Sequence, residues 1–328
     1  MVINVTDKEG RQIKPLLYAS LDAELNSGDR DFALTIPLDD WDDRITAGGR
    51  IFIEGTEIGG ILGQQTIQSD VEEISFTGYT WRGRMERKII VPPSGQDYYT
   101  VSGELNAILK ELIEPRFGGA FLVPDISTGV TTTYQFERFE NLLDGCTKML
   151  KEKGHRLKIR YNMGEPNGTG WVEISAVPIV DYSDQIQLSQ DSRLKFTMSD
   201  KQDGVNHLIV GGKGEMQDRN ILHLYVQKDG TIGEIRYFTG IDEIEYFYEN
   251  TSTDTGDLKK KAIEELEKRM NSKTFEMDVE QLGIDVDIGD IIGGRDFRTG
   301  LEMKKPLENI VVKIQNGIVS KKYKLEGS

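Results

Sequence analysis

The glycine cluster in HLIVGGKGEMQDR, residues 207–219, is the stretch of this sequence that could bind a phosphate. A dinucleotide-binding loop needs G-x-G-x-x-G between a strand and a helix, with a carboxylate about 20 residues later. The third glycine is missing here, and the following NILHLYVQ alternates as a strand does, so no helix N-terminus is predicted to hold pyrophosphate. No G-K-[ST] sequence marks a P-loop either. The cluster therefore predicts a turn between two strands, and no cofactor.

Two acidic clusters could support hydrolysis or metal binding. Residues 39–43, DDWDD, combine carboxylates with a tryptophan that could stack on a sugar, as a glycosidase site would require. Consecutive acids at a turn are more typical of a solvated rim. Residues 285–290, DVDIGD, resemble a calcium loop but lack its alternating ligands and distal glutamate, so they predict a β-turn.

Histidine and cysteine residues are few. His155, His207 and His223 form no H-x-x-x-H or H-E-x-x-H pattern, and the single Cys146 cannot supply a cysteine pair, so no metal site is predicted. We expect His207 and His223 to face each other across neighbouring strands, in a surface or interface role. Cys146 lies on the apolar face of a predicted helix and is interpreted as a core residue. No catalytic residue is predicted, and the chain is not expected to be an enzyme.

Charge restricts the partners. The formal net charge of −15 disfavours specific nucleic-acid binding. Residues 20–76 carry thirteen carboxylates against three arginines, whereas residues 304–328 carry six lysines against two glutamates. This asymmetry suits copies that meet acidic face to basic face, although solubility and a basic tail would explain it equally. No apolar run approaches the roughly 18 residues of a membrane helix, and the N-terminus shows no Sec signal. With a single cysteine in the sequence, we expect synthesis in a reducing cytoplasm.

The spacing of apolar residues, which predicts the strands and helices that position these side chains, changes along the chain. Residues 1–95 alternate as short strands between turn signals, which predicts a first antiparallel barrel or sandwich. Residues 96–188 predict an α+β module with two helices and a hairpin, and residues 189–240 with 273–328 predict a second, split barrel around a helical excursion at 241–272. The predicted fold class is mainly β with α+β insertions, two small antiparallel barrel or sandwich modules joined by an α+β module. The buried faces of the helices are assigned by 3.6-residue spacing to Leu105, Ile108, Leu109, Leu112 and Ile113, to Phe139, Leu142, Leu143, Cys146, Met149 and Leu150, and to Leu258, Ala262, Ile263, Leu266 and Met270.

Four stretches resemble phage tail baseplate hub proteins. FTGYTWRGRMERKIIVPP at residues 76–93 is similar to the end of the first domain of that family. The resemblance continues in order through residues 138–161, 206–219 and 284–314. It implies two tube-like β-barrel domains in one chain, of which three copies form a ring. It also implies partners: sister chains in a homotrimer, a tail tube or distal tail protein, and a spike or fibre protein.

The resemblance therefore implies a non-enzymatic structural hub in the virion tail, with no cofactor and no membrane contact. The alternative is a glycan-binding or glycan-hydrolysing baseplate component that uses residues 39–43. Tryptophan and arginine are over-represented at interface hot spots, but a core tryptophan with snorkelling arginines would show the same pattern. The predicted interface residues are Trp81, Arg82, Arg84 and Arg87 in the first β module and Arg295, Phe297 and Arg298 in the second.

Overall fold

The computed structural model describes the backbone of residues 2–26, 28–67, 70–164, 168–183, 195–251, 255–279, 286–295, 300, 302–315 and 317–325. The chain divides into two compact units, called unit 1 (Met1–Phe196 with Glu276–Glu326) and unit 2 (Thr197–Phe275). Strands dominate both units, so the predicted mainly-β class with inserted helices is confirmed. The boundaries predicted for the individual modules stay predictions.

The described residues at the start of unit 1 form seven strands, and the alternation of buried and outward-facing side chains is clearest in the third and fourth. In the strand Asp31–Pro37 the residues Phe32, Leu34 and Ile36 are buried while their neighbours face outward, as a period of two requires. These strands are β1 (Ile3–Thr6), β2 (Gln12–Leu16), β3 (Ser20–Glu24), β4 (Asp31–Pro37), β5 (Arg50–Phe52), β6 (Gly59–Ile67) and β7 (Glu73–Thr80).

The seven strands pair in the order β2-β1-β5-β6-β7-β4-β3. Gly60 of β6 and Gly78 of β7 leave room for the ring of Phe32, since a Cβ at Gly60 would lie 2.6 Å from that ring. This close approach explains why glycine occurs inside these strands.

The sheet of unit 1 is completed by strands from the far end of the sequence. These are β19 (Ile291–Arg295), β20 (Glu302–Gln315) and β21 (Ile318–Leu325), and the second part of β18 (Ser272–Val279) pairs with β21. β20 pairs antiparallel with β3, in the register Val311 to Glu24 and Ile314 to Leu21. Strands that the sequence analysis assigned to two separate modules therefore share one sheet.

The α+β part of unit 1 surrounds an extensive apolar core. α2 buries the face that the sequence predicts, begins after the N-cap Glu104 and ends at Gly118, whose φ of 55° is left-handed. α3 begins after Asn141, whose side chain accepts a hydrogen bond from the Asp144 N–H, so Phe139 lies outside the helix. The elements of this part are α1 (Trp81–Glu86), β8 (Thr100–Glu104), α2 (Leu105–Phe117), β9 (Phe121–Leu122), β10 (Thr131–Gln135), α3 (Leu142–Lys151), β11 (His155–Asn162) and β12 (Trp171–Pro178).

The described residues of unit 2 form a small sheet and one α-helix. The chain enters it in β13 (Lys195–Lys201), and the sheet has the order β16 (Ile232–Gly233), β15 (Ile221–Val226), β14 (His207–Gly211) and β17 (Glu245–Glu249). β14 and β17 are parallel. α4 (Thr255–Arg269) contributes Leu258, Ala262 and Leu266 to a core with Leu208 and Val210, so three of the five residues predicted for its stripe are fully buried.

Candidate interaction surfaces and charged clusters

Trp81 opens α1 and lies wholly inside unit 1. The Thr80 hydroxyl accepts a hydrogen bond from the Gly83 N–H and thereby caps the helix. The Trp81 ring has no exposed surface, stacks on Tyr161 at 5.5 Å between centroids and meets the edge of Phe121 at 6.1 Å. This residue anchors α1 to the α+β part of the core.

The three arginines around α1 have different environments. Arg82 is buried and forms two hydrogen bonds with Glu57, of 2.5 Å from Nε and 3.1 Å from Nη2. Arg84 is half-buried, whereas the exposed Arg87 places its guanidinium 3.2 Å from the ring centroid of Tyr79. The intramolecular partners of Trp81 and Arg82 are thus defined, and contact of the four residues with a sister chain stays a prediction.

The second predicted interface set lies mostly outside the described residues. The backbone of Arg295 ends β19. Phe297 and Arg298 fall in the range 296–299, outside the described residues. The role of these three residues stays a prediction.

An exposed apolar patch lies directly after α1. Ile89 bridges to Asn141, and the Ile90 N–H donates to the Glu140 carbonyl, which brings residues 89–91 alongside Phe139. Ile89, Val91 and Phe139 are 46%, 56% and 55% exposed. Phe139 also has a φ of 61°, a conformation that costs a non-glycine residue about 1–2 kcal/mol. We call Ile89, Val91 and Phe139 the 89–139 patch; sequence reasoning missed it because Phe139 matched the helical spacing.

The acidic and basic segments meet within unit 1. Lys313 of β20 lies 2.9 Å from Asp22 of β3, and Lys324 of β21 lies 3.4 Å from Glu24. Part of the charge asymmetry is therefore compensated inside one chain. The predicted contact between acidic and basic faces of separate copies stays a prediction.

The carboxylates at residues 39–43 have structural partners. Buried Asp40 accepts hydrogen bonds from the Leu17 and Tyr18 N–H groups and lies 2.9 Å from Lys14 Nζ. Burial raises the pKa of Asp40, but the bonds to Lys14 and the two N–H groups outweigh it and hold that pKa below its usual value. Asp42 bonds to the Arg44 side chain, which also holds the pKa of Asp42 low. A glycosidase acid needs a raised pKa, so neither carboxylate suits that role.

The glycine cluster is the turn that the sequence predicts. β14 ends at Gly211, residues 212–220 form the connection, which contains a single 3-10 turn at Met216–Asp218, and β15 begins at Ile221. The Gly212 N–H donates to the Asn220 carbonyl across the turn, and the Asn220 N–H donates to the Lys213 carbonyl. The Gly212 and Asn220 N–H groups therefore close the hairpin, and no α-helix follows the glycines: the next long element is the strand β15.

Residues 286–290 form a turn held by arginines. Asp290 has no exposed surface and accepts hydrogen bonds of 2.6 and 2.9 Å from Arg156. Arg160 donates to both oxygens of Asp287 at 2.8 Å. The turn predicted here is confirmed for the described residues, and its carboxylates fix it to β11.

Cys146 is a core residue, as predicted. It has no exposed surface on α3, and burial raises the pKa of its thiol to about 12. A thiol with this pKa is not a nucleophile at neutral pH.

His207 and His223 contact each other, as expected from the strand pattern. His207 Nε2 lies 2.8 Å from His223 Nδ1, and the His207 ring stacks on Tyr225 at 4.3 Å between centroids. The other nitrogen of His207, Nδ1, lies 2.9 Å from Glu243 Oε1 and 3.1 Å from Glu245 Oε1. Sequence reasoning missed the two glutamates; their i, i+2 spacing was the only local signal.

Comparison with known proteins identifies the family. The family model described as Siphovirus ReqiPepy6 Gp37-like protein matches residues 23–321. The chain belongs to this family. The resemblance to phage tail proteins found in the sequence is confirmed at this level. Comparison with curated proteins gives no significant match.

The fold of this Gp37-like chain is similar to that of solved tail proteins. The 43 kDa tail protein of prophage MuSo2 from Shewanella oneidensis has a TM-score of 0.55 and 13% identity, with 99% of this chain and 98% of that chain covered. A tail protein from Neisseria meningitidis MC58 has a TM-score of 0.51 and 14% identity, with 99% and 97% covered. Among the described helices, none is long and apolar enough to span a lipid bilayer.

Proposed function

We propose that this chain is a non-enzymatic structural hub of a phage or prophage tail baseplate, a ring-forming adaptor between the tail tube and a central spike or fibre. The observation that supports this most strongly is the full-length fold similarity to two tail proteins, which covers 99% of this chain in each case. Membership of a siphovirus family agrees with it. The assembled form is a homotrimer in the virion tail, built from chains made in the host cytoplasm.

The charged clusters support a scaffold rather than an enzyme. Asp40, Asp42, Asp287 and Asp290 are all bonded to basic side chains of unit 1. Carboxylates bonded in this way are fixed in place by their basic partners, which stabilises a turn but does not suit proton donation to a substrate.

The 89–139 patch is the surface that we assign to contact with a sister chain. Three apolar side chains about half exposed, one of them in a strained backbone conformation, are costly in an isolated monomer. Arg87 lies beside the patch in sequence and is exposed. A ring of identical copies would cover such a patch on every subunit through one repeated contact.

Cryo-electron microscopy of tails purified from the source phage tests the proposal. We expect density for this chain at the distal end of the tail, in three copies around the axis. A chain found only in the infected cell and not in the particle would overturn the hub assignment.

Variants test the patch in the same particles. Val91→Asp and Phe139→Asp should reduce incorporation into tails, because a buried carboxylate without a partner opposes the contact. Ile126→Asp is the matched control, since Ile126 is 67% exposed and lies outside the patch. Equal incorporation of all three variants would reject this surface and leave the hub role itself intact.

The glycan-hydrolysing alternative has its own assay. Zymography on purified cell walls should show no clearing by this chain. Clearing that disappears in Asp40→Asn and Asp42→Asn variants would replace the hub proposal with the enzymatic one.

A further inference from the structure

We propose that unit 2 binds one divalent transition-metal ion, Zn²⁺ by its ligand types, through His207 Nδ1, Glu243 and Glu245. Within the described part of the chain, these three residues are the group of histidine, cysteine and carboxylate side chains whose ligand atoms all lie within 4.8 Å of one another. One imidazole nitrogen and two carboxylates are ordinary zinc ligands, and a water molecule would complete four-coordination.

The distances match a metal polyhedron. With zinc–ligand bonds of about 2.0–2.2 Å, neighbouring ligands of a tetrahedral ion are about 3.3–3.5 Å apart. Nδ1 of His207 already lies 2.9 Å from Glu243 Oε1 and 3.1 Å from Glu245 Oε1. Shifts of a few tenths of an ångström at each side chain would therefore admit the ion.

The direction of the ring favours a metal over a simple hydrogen bond. His207 is 5% exposed, and its Nδ1 is buried yet has no hydrogen-bond partner of good geometry among the described atoms. A hydrogen bond points along the line from nitrogen to oxygen, whereas an ion bound to all three atoms lies off each of these lines. Three ligands around one ion have short nitrogen–oxygen distances but no hydrogen-bond alignment, and Nδ1 of His207 shows this combination with the two glutamate oxygens.

The surrounding residues orient the ligands. His207 Nε2 lies 2.8 Å from His223 Nδ1, so an Nε2–H can donate to His223 and leave the Nδ1 lone pair for the ion. Arg236 donates to both oxygens of Glu243, from Nε to Oε1 at 2.9 Å and from Nη2 to Oε2, and holds that carboxylate. The Glu243 side chain is 7% exposed and that of Glu245 is 56% exposed, so the ion would enter past Glu245.

Bound metal would fix one segment of unit 2. Glu243 precedes β17, Glu245 begins it, and His207 begins β14, which is the parallel neighbour of β17. The ion would therefore join the starts of both strands and secure the chain between β16 and β17, where Ile235 and Ile241 are 78% and 98% exposed.

Calorimetric titration of metal-stripped, tag-free protein with ZnCl₂ tests the site. We expect one ion per chain. The Zn²⁺ affinity should fall at least about 10-fold in Glu245→Gln, which loses a ligand, and about 10–100-fold in His223→Leu, which loses the residue that orients His207. Glu249→Gln is the control, because Glu249 lies on the same strand, is 63% exposed at its side chain and bonds to Arg219 instead. Both glutamate variants should retain the circular dichroism of the parent.

Two results would overturn the proposal. One is the absence of stoichiometric Zn²⁺ binding, which would mean that the three side chains lie close together without serving as metal ligands. The other is equal affinity of the Glu245→Gln and Glu249→Gln variants, which would place any bound zinc elsewhere. Neither result bears on the position of the chain in the tail, which particle imaging tests separately.

Discussion

Asp290→Ala should destabilise unit 1 more than any surface substitution. The Asp290 carboxylate has no exposed surface and accepts two hydrogen bonds from Arg156, one from the Val180 N–H at 3.0 Å and one from the Asp287 N–H at 3.0 Å. Its removal leaves the 10% exposed Arg156 side chain with Asp287 as its remaining anion, at 3.1 Å. Breaking a buried ion pair from one side costs about 3–5 kcal/mol of unfolding free energy.

Urea unfolding followed by tryptophan fluorescence measures this loss. The three tryptophans are Trp41, Trp81 and Trp171, and all belong to unit 1, so the signal reports that unit alone. A lower transition midpoint with an unchanged slope would show reduced stability without a change in the surface exposed on unfolding.

Two further variants make the test specific. Asp22→Ala removes a carboxylate from the pair with Lys313, whose side chains are 53% and 59% exposed, and should cost no more than about 1 kcal/mol. Adding Arg156→Met to Asp290→Ala should recover part of the lost stability, because it removes the stranded charge. If Asp290→Ala and Asp22→Ala shift the midpoint equally, the reasoning from burial is refuted.

Three other predictions concern unit 1. Trp81→Ala should lower the unfolding free energy by about 3–5 kcal/mol, measured by the fluorescence of the two remaining tryptophans, and a loss under 1 kcal/mol would contradict its role as core anchor. Burial raises the pKa of Asp287, but the charges of Arg160 and Arg156 hold it below 3.8, so its stabilisation is present above that pH and lost as the pH falls through the lower folded pKa. Asp287→Asn should therefore flatten the acid side of the stability profile, where the pH falls below that usual value. The Cys146 thiol, with its pKa raised to about 12, should react with a thiol reagent only after unfolding, and prompt labelling of the native chain would show that α3 opens.

Local periodicity predicted α2, α3 and α4, but it missed the six-residue α1, which lies in the range 1–95 that was interpreted as strands. The spacing of Leu105, Ile108 and Leu112 identifies the buried face of α2, because residues three or four positions apart lie on the same side of a helix. The turn between β14 and β15 was likewise predicted, since the alternation of NILHLYVQ indicates a strand from residue 220, although the 3-10 turn at Met216–Asp218 was not predicted. These features depend on residues close in sequence.

Long-range pairing could not be predicted in the same way. Nothing in β3 alone specifies that β20 is its partner, because any strand of matching pattern could occupy that edge. The ion pair of Arg82 with Glu57 and the approach of Glu243 to His207 also depend on tertiary contacts between distant segments. Phe139 was wrongly assigned to the buried face of α3. Its position matches the helical spacing, but the helix begins only after the N-cap Asn141.

The place of β20 beside β3 affects how the protein is made. At about 5–20 residues per second, translation from Glu24 to Val311 takes roughly 15–60 s. During that time the outer edge of β3 has no native neighbour, and an unpaired edge can recruit a strand from another polypeptide. The carboxylates of Asp22 and Glu24 on β3 would disfavour such non-native pairing until Lys313 and Lys324 have been synthesised. The same two carboxylates therefore first oppose aggregation of the nascent chain and later form ion pairs with β20 and β21.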